Sequence, residues 1–110
     1  MPNLQTADRS TAIVCIVGPI DLEHSQRIRR MLLDFLASRE NVLVDMSAVT
    51  QIDGTGAVSL VEVNYAALKN GKGFALFCVG DQVMRVFRLA RLDRVLTILD
   101  CPPEYGSQCP

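Results

Sequence analysis

The chain has 110 residues, 49% of them apolar, 5% aromatic and none tryptophan, with a formal net charge of −1. That length suits one domain whose aliphatic core can form without disulfides or metal. The near-neutral charge excludes a general phosphate-backbone binder, and so few aromatics leave no stacking platform for single-stranded nucleic acid.

The first ten residues, MPNLQTADRS, lack the basic start and apolar stretch of a signal peptide, and no apolar run reaches the roughly 18 residues needed to cross a bilayer. A cytoplasmic protein with no membrane insertion is expected. Cys15, Cys78, Cys101 and Cys109 form no C-x-x-C pair, and His24 is the sole histidine. They read as free thiols, Cys15 and Cys78 buried in strands and the other two in a loose tail, with no metal site and no cofactor.

In chain order, Asn3 to Ala7 can pair as an edge beside Thr11 to Val17, a β-branched apolar run that suits a strand buried on both faces. Gly18-Pro19-Ile20-Asp21 is turn chemistry, with Asp21 placed to cap a helix over Leu22 to Ser38. That helix is amphipathic, with Ile28, Met31, Leu32, Phe35 and Leu36 on one stripe. Asn41 to Asp45 is the next strand, and Met46 to Ile52 reads as a loop.

Asp53-Gly54-Thr55-Gly56 then opens a helix that runs to Lys69. This helix is apolar nearly all round, with Val58 and Tyr65 off its main face, so it is expected to be covered on more than one side. Asn70-Gly71 stops it. Phe74 to Val79 reads as a strand, Gly80-Asp81 as a cap, and Val83 to Leu92 as a third helix. Its arginines at 85, 88, 91 and 94 fan around half the helix, as a solvated face or as a contact for an acidic partner or anionic lipid. Val95 to Leu99 is a last strand, and residues 101–110 have the composition of a frayed tail. Strands alternating with helices over residues 1–100 imply one α/β domain: a four- or five-stranded, mixed sheet with about three helices mainly on one face.

Catalysis finds little support in these residues. His24 stands alone at a helix start, and the glycines at 54 and 56 match neither the P-loop nor the dinucleotide-binding spacing. Asp45 and Asp53, with Thr55, are the only cluster a small α/β enzyme or nucleotide-binding protein could use. Capping and loop-tethering are commoner uses of such carboxylates. For Asp53-Gly54-Thr55-Gly56 the bland reading is a helix cap with glycines that let backbones pack closely. The sharper reading is a helix start open to a partner or a phosphate.

The order GPID, VDMSAVTQIDGTG, GKGFALFCVGD and RLARLDRVLTI resembles the STAS domain, named for sulfate transporters and anti-sigma factor antagonists. The resemblance spans about residues 10 to 100, and its specific part is the strand, the D-x-S-x-V-x-x-I-D-x-[ST]-G segment and the helix start. It implies a non-catalytic module that sequesters an anti-sigma factor of the kinase fold, under control by Ser/Thr phosphorylation in the loop. With no membrane segment ahead of it, the chain is expected to be a stand-alone antagonist and not the end of a transporter.

The place directly after the aspartate, the family's usual phosphoacceptor, holds Gly54, so Thr55 is the phosphorylation candidate. The expected partner-binding residues are Asp21, Asp53, Gly54, Thr55, Gly56 and Ser59, with the exposed side of the second helix. A second branch of the family, accessory subunits of lipid-trafficking ABC transporters, docks on the transporter ATPase through the same loop and also fits. A homodimer through the apolar second helix is the structural alternative.

Overall fold

The computed structural model describes residues 3–6 and 10–102. Strand β1 (Asn3–Thr6) lies antiparallel to β2 (Thr11–Cys15), which pairs in parallel with β4 (Asn41–Asp45). Strand β6 (Gly73–Phe77) and the short β7 (Ile98–Leu99) extend the parallel part, giving the order β1-β2-β4-β6-β7. Each parallel neighbour requires a crossover, and helices α1 (Ser25–Ser38), α2 (Gly54–Lys69) and α3 (Asp81–Leu89) supply them. The mixed α/β sheet and three helices are the architecture the alternating pattern predicts.

Strand periodicity decides what each sheet face buries. Ala12 and Val14, Val42 and Val44, Phe74 and Leu76 point one way, into a core with Leu32, Leu60, Val63 and Phe87 from the three helices. Ile13 and Phe77 point the other way, into a smaller cluster with Cys78 and half-buried Leu43. The helices therefore lie on one face. Buried strands on both sides explain why the strand runs are continuously apolar and do not alternate.

Several boundaries differ from the sequence reading. Strand β3 (Gly18–Ile20) and β5 (Val49–Ile52), expected as turn and loop, pair with each other in a separate two-stranded sheet. They are too short and too mixed in composition for periodicity to reveal them. Helix α3 stops at Leu89 because Arg91 adopts the left-handed conformation; a 3-10 turn over Leu92–Arg94 follows, and the last strand shrinks to two residues.

The cysteines are also not the free thiols expected. Cys78 and Cys101 form a disulfide, their Cα atoms 4.2 Å apart, and Cys15 is disulfide-bonded as well. Twenty-three residues separate Cys78 from Cys101, so only the return of β7 alongside β6 brings them together. Residues 103–110, most of the predicted tail, lie outside the described residues.

Helix α2 ends as its glycine requires. Gly71 takes φ +67°, its N–H donates to Leu68 O, and Lys72 N–H donates to Ala67 O, the paired bonds of a Schellman cap. No helix among the described residues is long and apolar enough to cross a membrane.

Candidate functional site: the Asp53 turn and the outer ridge of helix α2

Strand β5 delivers Asp53 to the start of α2, where it serves as N-cap. Its Oδ1 accepts from Gly56 N at 2.9 Å and from the Thr55 hydroxyl at 2.6 Å. Its Oδ2 accepts from Leu22 N at 3.1 Å, across 31 residues of sequence. One carboxylate thus closes the helix start, orients Thr55 and ties the β3–α1 connection to the turn. These bonds to the charged form, led by the Thr55 hydroxyl and then the Gly56 amide, hold the Asp53 carboxyl below its usual range.

Asp21 stands on the neighbouring connection. Its Oδ1 accepts from His24 Nδ1 at 2.6 Å and from His24 N at 3.1 Å, and the side-chain bond is the main cause of its lowered pKa. Asp21 does not cap a helix starting at Leu22, as its place in the sequence predicts. Instead, a turn intervenes over residues 22–24, helix α1 begins at Ser25, and Asp21 holds that turn.

Gly56 is where backbones pack most closely. A Cβ there would lie 2.1 Å from Ile20 O, because the first turn of α2 rests directly on β3. Gly54 has open space around it, with no heavy atom within 4 Å of where a Cβ would stand. The two glycines of one turn thus answer to different constraints, close approach at Gly56 and none visible at Gly54.

Ser59, expected at the partner surface, is only 3% exposed, and its hydroxyl donates to Thr55 O at 3.0 Å. It supports the turn from within. A helical pitch of 3.6 residues makes the reason plain, since Ser59 follows Thr55 by four and Gly56 by three on the side that faces β3.

The large exposed side chains near the turn are ones that the sequence pattern places elsewhere. Val58 and Tyr65, seven apart on α2, are 57% and 69% exposed, and Leu22 beside Asp53 is 72% exposed. Helix α2 is covered on more than one side, as expected, by α1 and by strands β6 and β3, yet one side stays open. Its inner stripe of Ala57, Leu60, Val63 and Ala67 is buried, while the ridge through Thr55, Val58, Glu62 and Tyr65 is open. The i, i+3, i+7, i+10 spacing of that ridge, opposite the core stripe, is the signal that could have identified it. Asn64 is buried at the flank of α2, its side-chain amide donating to Val95 O at 3.2 Å.

The remaining candidates each have a local role or stand exposed. Asp45 is buried and accepts from Ser47 N at 2.9 Å, serving the β4–β5 turn while exposed Asp53 serves the next one. Arg85, Arg88, Arg91 and Arg94 are all exposed and make no ion pair among the described residues. Among the described residues, no three His, Cys, Asp or Glu side chains cluster as metal ligands would.

The family model for the STAS domain matches residues 1–101. A candidate anti-sigma factor antagonist of Thermotoga maritima superposes with a TM-score of 0.82 at 20% identity, over 97% of this chain and 92% of that one. An anti-sigma factor antagonist from Mycobacterium paratuberculosis gives 0.79 at 20% identity, over 98% and 91% of the two chains. The Bacillus cell fate determinant SpoIIAA in its phosphorylated form gives 0.71 at 14% identity, over 98% and 97%. At these identities the structural likeness speaks for the fold alone. The family model spans nearly the whole chain, and by that match the chain belongs to the STAS domain family.

Proposed function

We propose that this chain is a non-catalytic regulatory module that acts by binding a protein, in the manner of an anti-sigma factor antagonist that sequesters a kinase-fold anti-sigma factor in the cytoplasm. The observation that carries this reading is the juxtaposition of an Asp53-capped turn, exposed Leu22 tied to it, and the open ridge of α2 that carries Val58 and Tyr65. Exposed aromatic and aliphatic side chains beside a fixed polar turn are what a specific protein interface uses as anchors and rim. The structural relatives named as anti-sigma factor antagonists support the same reading. So does the use of Asp45 and Asp53 as acceptors within two different turns, the loop-tethering role ordinary for such carboxylates.

Asp21, Asp53, Gly54 and Thr55 form the polar part of this docking surface, and Gly56 and Ser59 hold it in shape. Thr55 is the proposed phosphoacceptor. Its hydroxyl is exposed and donates to Asp53 Oδ1. Phosphorylation would remove that donor and place about −1.5 to −2 charges against the same carboxylate, loosening the turn and repelling an acidic partner.

Gly54 favours a second reading. Packing leaves room for a side chain there, yet the residue carries no hydroxyl. An accessory subunit that docks on an ABC transporter ATPase without phosphate control accounts for this.

Affinity capture from the native cytosol with the wild-type chain and a Val58→Asp/Tyr65→Asp variant separates the readings. A kinase-fold anti-sigma factor retained by the wild type and lost by the variant is the expected result. An ABC ATPase with that behaviour selects the second reading, and a homodimer through α2, seen by light scattering, replaces both. Intact mass after incubation with the captured kinase and ATP should show one added phosphate, absent in Thr55→Ala. No added mass with an active kinase rejects the phosphorylation.

A further inference from the structure

The outer face of α3 and the turn that follows it carry none of the residues of the docking turn or of the α2 ridge. Residues 85–94 hold four arginines and one acid, Asp93, in a chain whose net charge is −1. Arg85, Arg88, Arg91 and Arg94 are all exposed, and none makes an ion pair among the described residues. Backbone bonds set them in one row. Arg85 and Arg88 lie one turn apart on α3, Arg91 N–H donates to Arg88 O, and Arg94 N–H donates to Arg91 O. Leu89, which follows Arg88, is 81% exposed, more than any other large apolar side chain among the described residues.

The inner face of α3 is already occupied. Val83 and Phe87 are buried in the core, with Met84 and Val86 packed against it. A helix that lies in a bilayer surface inserts its apolar face, and α3 has none left to insert. The arginines also fan. A step of three residues turns back by about 60° around a helix, so Arg85 and Arg88 project in different directions, and left-handed Arg91 bends the row again. A flat lipid surface meets only part of such a fan, whereas a polypeptide can follow it.

We propose that this face binds an acidic segment of a partner protein, with carboxylates on either side of an apolar residue. The apolar residue packs on Leu89, and the carboxylates pair with Arg85 and Arg88 on one side and with Arg91 and Arg94 on the other. A planar guanidinium suits a carboxylate, which it can hold by two parallel hydrogen bonds. Arginines around an exposed apolar side chain are also what the centre of a protein interface is enriched in. Exposed Asp81, in the first turn of α3, and exposed Asp93 repel carboxylates at those two places, so the contact centres on Arg85, Arg88 and Leu89. The charge of an acidic segment complements a row that the chain's own acids leave unpaired.

An acetylated, amidated peptide of one leucine flanked on both sides by glutamates, titrated into the 15N-labelled full chain, tests this. Saturable shifts confined to the amides of residues 81–95 are expected, with binding that weakens as salt rises. The same peptide with glutamines for glutamates should not saturate. Arg85→Gln/Arg88→Gln, at exposed positions, should weaken the glutamate peptide about tenfold, and Leu89→Ser should weaken it less. Phosphatidylglycerol vesicles should leave the chain in the supernatant on co-sedimentation. The proposal is overturned if the glutamate peptide produces no saturable shifts or shifts centred elsewhere. The glutamine peptide binding as tightly, or the double-arginine variant binding like the wild type, overturns it equally. Vesicles that carry down the wild type and not that variant assign the face to a lipid surface and overturn it as well.

Discussion

Substituting alanine at Gly56 and at Gly54 perturbs the same helical turn in opposite directions. In an ordinary helix position Gly→Ala gains about 0.5–1 kcal/mol by restricting the unfolded chain. At Gly56 the new Cβ would meet Ile20 O at 2.1 Å and Ile20 C at 2.9 Å, where an ordinary carbon–oxygen contact is about 3.3 Å or more. The obstacle is a strand carbonyl that also accepts from Asp53 N, so relief requires α2 and β3 to separate by about 1 Å. Overpacking of this kind costs about 1–3 kcal/mol, and a backbone partner places it near the upper end.

The net expectation for Gly56→Ala is a loss of about 2 kcal/mol, or roughly 8 °C in Tm for a domain of this size. Gly54→Ala meets nothing within 4 Å and should gain about 0.4–1 kcal/mol. Urea unfolding reads both as shifts of the midpoint at constant slope. A Gly56→Ala midpoint at or above the wild type, or equal losses for the two variants, would refute the close approach of α2 to β3.

Asp53→Ala removes the N-cap and the Leu22 tether together and should lower the urea midpoint, with Thr55→Ala lowering it less. The lowered pKa values of Asp21 and Asp53 set a direction with pH. A carboxylate whose folded pKa lies below its unfolded one stabilises fully above the ordinary range, about pH 4, and loses that contribution as pH falls through the folded value. Thermal unfolding followed from pH 6 to 3 should therefore show Tm falling below about pH 4, with a shallower fall in Asp53→Asn; an identical fall would count against Asp53. Non-reducing peptide mapping of the air-oxidised protein should recover a Cys78–Cys101 linked pair, and thiol trapping in a reducing cytosol should find both as thiols. A pair that is never linked under oxidation would contradict the return of β7 to β6.

The continuous apolar runs at Thr11 to Cys15, Val42 to Asp45 and Phe74 to Phe77 mark buried parallel strands, because a strand covered on both faces has no reason to alternate. The amphipathic stripe of α1 and the glycine after Lys69 are equally readable. At the site, Asp53 can be named as a cap from its position before Gly-Thr-Gly, since capping is a local contact between residues three apart. The β3–β5 sheet is not readable, being built from two short mixed segments whose only evidence is each other.

Ser59 and Tyr65 show the limit most directly. Both lie on α2, and composition marks the polar one for the surface and the aromatic one for the core, yet Ser59 is buried and Tyr65 exposed. Which side of an all-round apolar helix meets the sheet depends on the crossing of α2 over β3, fixed at Gly56, and not on any residue of the ridge itself.

What the sequence by itself determined, then, is whatever rests on neighbours within one helical turn or one strand: the longer strands and helices, a cap at the Asp53–Thr55 turn, the Gly71 stop and the family pattern. Only the tertiary structure decided the contacts between distant segments. Those are the Leu22–Asp53 tie, the Cys78–Cys101 bond, the seating of Gly56 on Ile20 and the consequent exposure of Val58 and Tyr65. Such contacts follow from how elements cross, a property that no local spacing encodes.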